Sequence, residues 1–93
     1  MTLVLLRKDQ IPEQIRQLNG WSLEGKEIKK LVELTDFVRA MAFVNSVARL
    51  AETHNHHPDI DIRWNKVRLA LSTHSAGGLT DLDFKLAKAI EEL

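Results

Sequence analysis

The chain of 93 residues contains no cysteine. That absence removes a disulfide framework, thiolate metal ligation, a cysteine nucleophile and thiol redox sensing, and it fits a reducing compartment. An excess of one charge is missing too: 13 Lys and Arg balance 13 Asp and Glu, and they are scattered along the chain. Binding of bare nucleic acid or of an anionic membrane draws on clustered basic side chains, so neither is expected. No apolar run approaches the roughly 20 residues of a membrane span. The opening Met1 to Leu6 is apolar, but Arg7, Lys8 and Asp9 close it. A secretory signal carries its basic region before the apolar stretch, and here the order is reversed, which predicts a cytoplasmic protein. Internal repeats and a linker rich in Pro, Gly or Ser are absent, and Gly77-Gly78 alone is weak evidence for a phosphate loop. A single domain over residues 1–93 is expected.

What is present is ordinary for a soluble globular protein, with 44% apolar and 28% charged residues. A chain of this length builds one core and buries about 60–70% of its unfolded surface. Its function therefore resides in one site or one surface. The distribution that stands out is histidine: all four lie between positions 54 and 74.

Apolar periodicity divides the chain into seven elements. Ile11, Ile15 and Leu18, with Pro12 and Glu13 suited to a first turn and Asn19-Gly20 to a stop, predict a short helix over Pro12 to Leu18. Trp21 and Leu23 lead to Glu24-Gly25, and Ile28, Val32 and Leu34 then alternate with Lys29 and Glu33, which predicts a hairpin. Thr35-Asp36 opens the longest helix, whose face is Phe37, Ala40, Met41, Val44, Val47, Ala48 and Ala51. Phe43 and Leu50 fall off that stripe and suggest a partner surface, most simply a second copy of the chain, although single exposed apolar residues are normal. The helix must stop by His56-His57, because Pro58 pushes His57 into an extended conformation.

Ile60, Ile62 and Trp64, then Val67, Leu69 and Leu71, predict a second hairpin. With Asn65-Lys66 at the turn, Trp64 faces Val67, Ile62 faces Leu69 and Ile60 faces Leu71. Thr80 as cap, Asp83 closing a capping box, and Leu79 with Phe84 as a hydrophobic staple start a last helix carrying Leu82, Leu86, Ala89, Ile90 and Leu93. The order α-β-β-α-β-β-α predicts an α+β fold, a four-stranded mainly antiparallel sheet with three helices packed on one face.

Extending the second hairpin's register backwards sets His57 opposite His74, on the polar side shared with Asp61 and Ser72. His56 follows Glu52 by four residues, the spacing that stacks side chains on one helical face, so Glu52 is expected to orient it. Both His56 and His57 sit at the end of a helix, where the macrodipole favours positive charge. Imidazole is the side chain whose unperturbed range straddles neutral pH, so such a cluster supplies a general acid and base. Two other readings stand beside it. Adjacent histidines before a proline can be no more than a polar helix end, and His54, His56 and His74 could form a zinc site. His54 otherwise reads as a solvent-facing helix residue, and Trp21 and Trp64 as core or pocket wall.

The set Glu52, His56-His57-Pro58, Trp64, His74 and Asp83 resembles the pterin-4a-carbinolamine dehydratase family in order and spacing. The resemblance extends to Gly20-Trp21, Phe37-Val38-Arg39-Ala40, Ser72-Thr73-His74 and Gly78-Leu79-Thr80. Trp64, where tyrosine is often found, and the apolar opening stretch are its departures. The family implies dehydration of a 4a-hydroxytetrahydropterin to a quinonoid dihydropterin, in recycling of the hydroxylase cofactor. It implies His56 and His74 as acid and base, with His57 binding and polarising the pterin and sharing in proton transfer. Glu52 would orient His56, and Asp83 would support the site. Pro58 and the segment Thr73, His74, Ser75 and Ala76 would shape the pterin pocket, and Trp21 would cover one face of the ring. No cofactor and no metal are implied, since the pterin is the substrate, and a homodimer or homotetramer is expected. Animal members also serve as dimerisation cofactors of a transcription factor through the long helix, which is the alternative function.

Overall fold

Alternating and helical periodicities assemble into the expected α+β architecture in the computed structural model, which describes residues 3–93. Met1 and Thr2, the first two residues of the apolar opening stretch, lie outside the described residues. The elements are α1 (Ile11–Arg16), β1 (Ser22–Glu24), β2 (Glu27–Glu33), α2 (Phe37–His54), β3 (Asp59–Arg63), β4 (Lys66–Leu71), a 3₁₀ turn (His74–Ala76) and α3 (Asp81–Glu91). Strand order is β1-β2-β4-β3, and every neighbouring pair is antiparallel. β2 and β3 therefore run parallel on either side of β4, joined by α2 as the crossover helix. Among the described residues no helix is long and apolar enough to cross a membrane.

One face of the sheet is apolar because strand side chains alternate. Ile28, Val67, Leu69 and Leu71 on that face are fully buried, against Ala40 and Val47 of α2 and Phe84, Leu86, Ala87 and Ile90 of α3, and Ala51 of α2 is buried as well. Ile11, Ile15 and Leu18 bring α1 onto the edge of the same core. The small Ala40, Val47 and Ala51 let α2 approach closely. The other face carries Asp59, Asp61, Arg68, Ala70 and, just beyond β4, Ser72, and among the described residues the buried core does not extend over it.

Three expectations need correction. Phe43 and Leu50 are half-buried and pack against the core, so the predicted partner strip on α2 is turned largely to the core; the large apolar residues that this helix exposes are Phe37 and Val38 at its first turn. An 18-residue helix over a twisted sheet presents a broader apolar arc than its strict stripe, and these two residues flank it. The second hairpin pairs Ile62 with Val67 and Ile60 with Leu69, so its central residues are Trp64 and Asn65. The register differs by two residues, which keeps every side chain on its expected face. Asn65 is held by two bonds to Leu34, from Leu34 N–H to Asn65 O at 2.8 Å and from Asn65 Nδ2 to Leu34 O at 3.0 Å. That tertiary clamp fixes the turn and leaves Trp64 at φ 51°, exposed and outside the core.

Candidate active site

Helix α2 ends in a Schellman motif. Asn55 takes the left-handed conformation at φ 49°, its N–H donates to Glu52 O, and the N–H of His56 donates back to Ala51 O at 3.1 Å. Asparagine tolerates this conformation better than most residues, and the motif satisfies carbonyls that the helix end would leave open. It also reverses the chain at His56. The expected stacking of His56 on Glu52 is thereby undone, since four-residue spacing brings side chains together only while the helix continues.

The two histidines take different carboxylates instead. His56 Nε2 lies 2.6 Å from Asp83 Oδ1, with the histidine side chain 11% exposed and the aspartate fully buried. His57 Nε2 lies 2.6 Å from Glu52 Oε2, and both of these side chains are largely in solvent. Solvent and salt screen the second pair, so it is worth no more than about 1 kcal/mol. Breaking the first by removing one partner would cost several times as much. A carboxylate only accepts, so in each neutral imidazole the proton is assigned to Nε2 and the lone pair to Nδ1.

Asp83 reads in the sequence either as a helix cap or as a site residue, and it is both. Its Oδ2 accepts from Thr80 N–H at 2.9 Å, completing the capping box of α3, and from Thr73 Oγ1 at 2.8 Å. Its Oδ1 turns the other way, to His56. The start of α3 thus fixes the orientation of a histidine 27 residues earlier in the chain.

His74 arrives on the 3₁₀ turn that follows β4. Thr73 and Gly78 close this loop, with Thr73 N–H to Gly78 O at 2.8 Å, and Gly77 at φ 79° makes the reversal that a side chain would oppose. The carbonyl of Thr73 receives the N–H groups of Ala76, Gly77 and Gly78, while those of His74 and Ser75 take no part in these bonds. His74 itself is exposed.

These pieces surround a cavity of about 340 Å³ lined by Leu3, Asn55, His56, His57, Asp59, Ala70, Ser72, Thr73, His74, Ser75 and Leu82. It opens beside the uncovered face of the sheet, and its size suits a small bicyclic ligand. Of the sequence-derived set, His56, His57, His74, Thr73 and Ser75 line it, and Glu52 and Asp83 stand behind its histidines. Pro58 and Ala76 adjoin lining residues without being among them. Trp21 is in the core, 5% exposed, its indole N–H has no partner among the described residues, and it is not part of the lining. His54 ends α2 and does not join the cavity. Among the described residues no three His, Asp or Glu side chains are gathered as a metal would need, so the alternative of His54, His56 and His74 as ligands is not assembled.

Sequence reasoning missed Asn55, Asp59 and Leu82, and it saw Ser72 only as a neighbour on the polar face. Asp59 was findable, because it shares the strand parity of His57 and Ser72. Asn55 required recognising a left-handed helix end, and Leu82 required knowing how α3 lies against the sheet.

Comparison with known proteins bears on the family and the fold. The family model described as pterin 4 alpha carbinolamine dehydratase matches residues 4–93. A protein of Acidobacterium capsulatum, provisionally named pterin-4-alpha-carbinolamine dehydratase, is 60% identical over 83 residues, covering 89% of this chain and 90% of its own. One of Roseiflexus castenholzii, with the same provisional name, is 55% identical over 89 residues, 96% of each chain. Among solved structures, a transcriptional coactivator/pterin dehydratase from Brucella melitensis superposes with a TM-score of 0.89 at 34% identity, covering 94% of this chain and 95% of its own.

Proposed function

This chain belongs to the pterin 4 alpha carbinolamine dehydratase family, and we propose that it dehydrates a 4a-hydroxytetrahydropterin to the quinonoid dihydropterin by histidine acid–base catalysis. The observation that carries this reading is the convergence of three histidines on one cavity, two of them held by carboxylates at 2.6 Å.

The substrate carbon bears both a hydroxyl and a ring nitrogen. The nitrogen lone pair expels the oxygen as the C–O bond breaks, provided that an acid protonates the departing hydroxyl to water. A base then takes a proton from a ring N–H, and the electron pair it leaves completes the quinonoid system. One proton is delivered and one removed, so two imidazoles of opposite protonation state suffice over a cycle. His56 and His74 are assigned these steps. His57, more exposed and weakly tethered, binds and polarises the pterin. Asp83 orients His56 and Glu52 orients His57. The Thr73 to Ala76 segment, in which the N–H groups of His74 and Ser75 have no partner among the described residues, offers donors to the carbonyl edge of the pterin, and Pro58 stiffens the approach to the site. Turnover in recycling a hydroxylase cofactor, inside the cytoplasm and as a homodimer or homotetramer, completes the reading.

The test is the dehydration rate of a synthetic carbinolamine. Acceleration by the pure protein, lost in His74→Ala, is expected; no acceleration, or equal rates with the variant, sinks the reading. A second reading is a protein-interaction role through α2, favoured by the exposed Phe37 and Val38 and by the coactivator named in the Brucella structure. It predicts retention of a regulator partner by protein whose dehydratase activity has been removed.

A further inference from the structure

Thr73 lines the cavity, yet its hydroxyl is turned away from it, into a buried chain of polar groups. Thr73 Oγ1 is 2.8 Å from Asp83 Oδ2 and 2.8 Å from Thr80 Oγ1. Thr73, Thr80 and Asp83 are 3%, 2% and 0% exposed, so water does not compete for these bonds. Proton counting gives the chain one direction. An ionised carboxylate has nothing to donate and a hydroxyl has one proton. The Thr73 proton therefore goes to Asp83, and Thr80 must donate its own to Thr73, leaving Thr80 Oγ1 to accept from Leu82 N–H.

Two donors thus hold Oδ2, the Thr80 N–H and the Thr73 hydroxyl, while Oδ1 faces His56. The cap bond alone leaves the carboxylate free to turn about its terminal torsion, which is intrinsically broad. A second donor from another direction fixes its plane.

We propose that Thr73 is a positioning residue: its hydroxyl sets the plane of the Asp83 carboxylate and thereby holds His56 in the Nε2–H form with Nδ1 offered to the cavity. This deepens the acid–base reading of His56 and rests on it for its kinetic consequence, although the geometric claim stands apart.

The experiment compares Thr73→Val, which keeps the branched shape without the hydroxyl, with Thr73→Ser, which keeps the hydroxyl. In the valine variant kcat is expected to fall roughly 10- to 100-fold, the scale of a misplaced catalytic group, with KM nearly unchanged. The serine variant should stay within a few-fold of wild type. A contact between Thr73 and substrate would move KM instead, and equal losses in both variants would assign the effect to packing; either result overturns the proposal. Histidine ring ¹⁵N shifts supply a readout independent of turnover. Wild type should show His56 protonated at Nε2, the valine variant a mixture of tautomers, and an unchanged pattern in the variant refutes the positioning role. If wild type proves inactive on the carbinolamine, the functional reading fails while the ¹⁵N comparison still decides the positioning claim. Should the valine variant not fold, the wild-type Thr73 hydroxyl proton is sought directly. A slowly exchanging signal coupled in space to Asp83 is expected, and its absence overturns the inference.

Discussion

Replacing Asp83 with asparagine preserves shape but removes the charge and exchanges one acceptor oxygen for an NH₂ donor. The carboxylate accepts three hydrogen bonds, from Thr80 N–H and Thr73 Oγ1 at one oxygen and from His56 at the other. An amide offers one oxygen and one NH₂, so one side must change. Turning the NH₂ toward Thr80 would set donor against donor and strand a buried N–H, at about 1–3 kcal/mol. The oxygen is therefore expected to stay with Thr80 and Thr73, and the NH₂ to face His56 Nε2. His56 must then accept at Nε2 and carry its proton on Nδ1, the opposite of its present tautomer.

Loss of charge weakens the retained bonds and the interaction with the helix dipole, together about 2–3 kcal/mol. For a domain of this size that lowers Tm by about 10–20 °C, leaving the protein folded at 25 °C if its stability is ordinary. The rate should suffer more. A reversed tautomer in a carboxylate–imidazole pair costs about 10⁴-fold where the histidine is the base, and general acid–base steps are worth about 10²–10⁴. We expect kcat for carbinolamine dehydration to fall within that range, measured below the variant's Tm. The reasoning is refuted if ¹⁵N shifts show the tautomer reversed while kcat is retained, or if the tautomer does not reverse.

His74→Ala is expected to abolish catalysis while changing stability by less than about 0.5 kcal/mol, since His74 is exposed; a large drop in Tm would mean that the turn, and not the imidazole, had been lost. Glu52→Gln should reduce kcat by only a few-fold, because the solvent-exposed pair it forms with His57 is weak. A loss as large as that of His56→Ala would make Glu52 itself the acid or base.

Much of the molecule was legible in the order of residues. Period-two and period-3.6 patterns located all seven main elements, because burying one face of a strand or helix leaves that signature along the chain. The Thr80 and Asp83 capping box was readable for the same reason: all its partners lie within three residues of one another. The histidine cluster was legible as a set, His56 and His57 by adjacency to a helix stop and His74 by strand parity.

Which group touches which was not. Glu52 lies four residues from His56, but the left-handed Asn55 hands that partnership to His57 and frees His56 for Asp83, which approaches from the first turn of α3. The turn of the second hairpin was displaced by Leu34, and Phe43 and Leu50 were drawn inward by the breadth of the core beneath α2. Local order along the chain specified the elements and the inventory of chemical groups, since these depend on neighbours a few residues away. The pairing of histidines with carboxylates and the cavity they share came from packing. Those contacts join α2, the loop after β4 and the start of α3, and their geometry exists only once the three have packed.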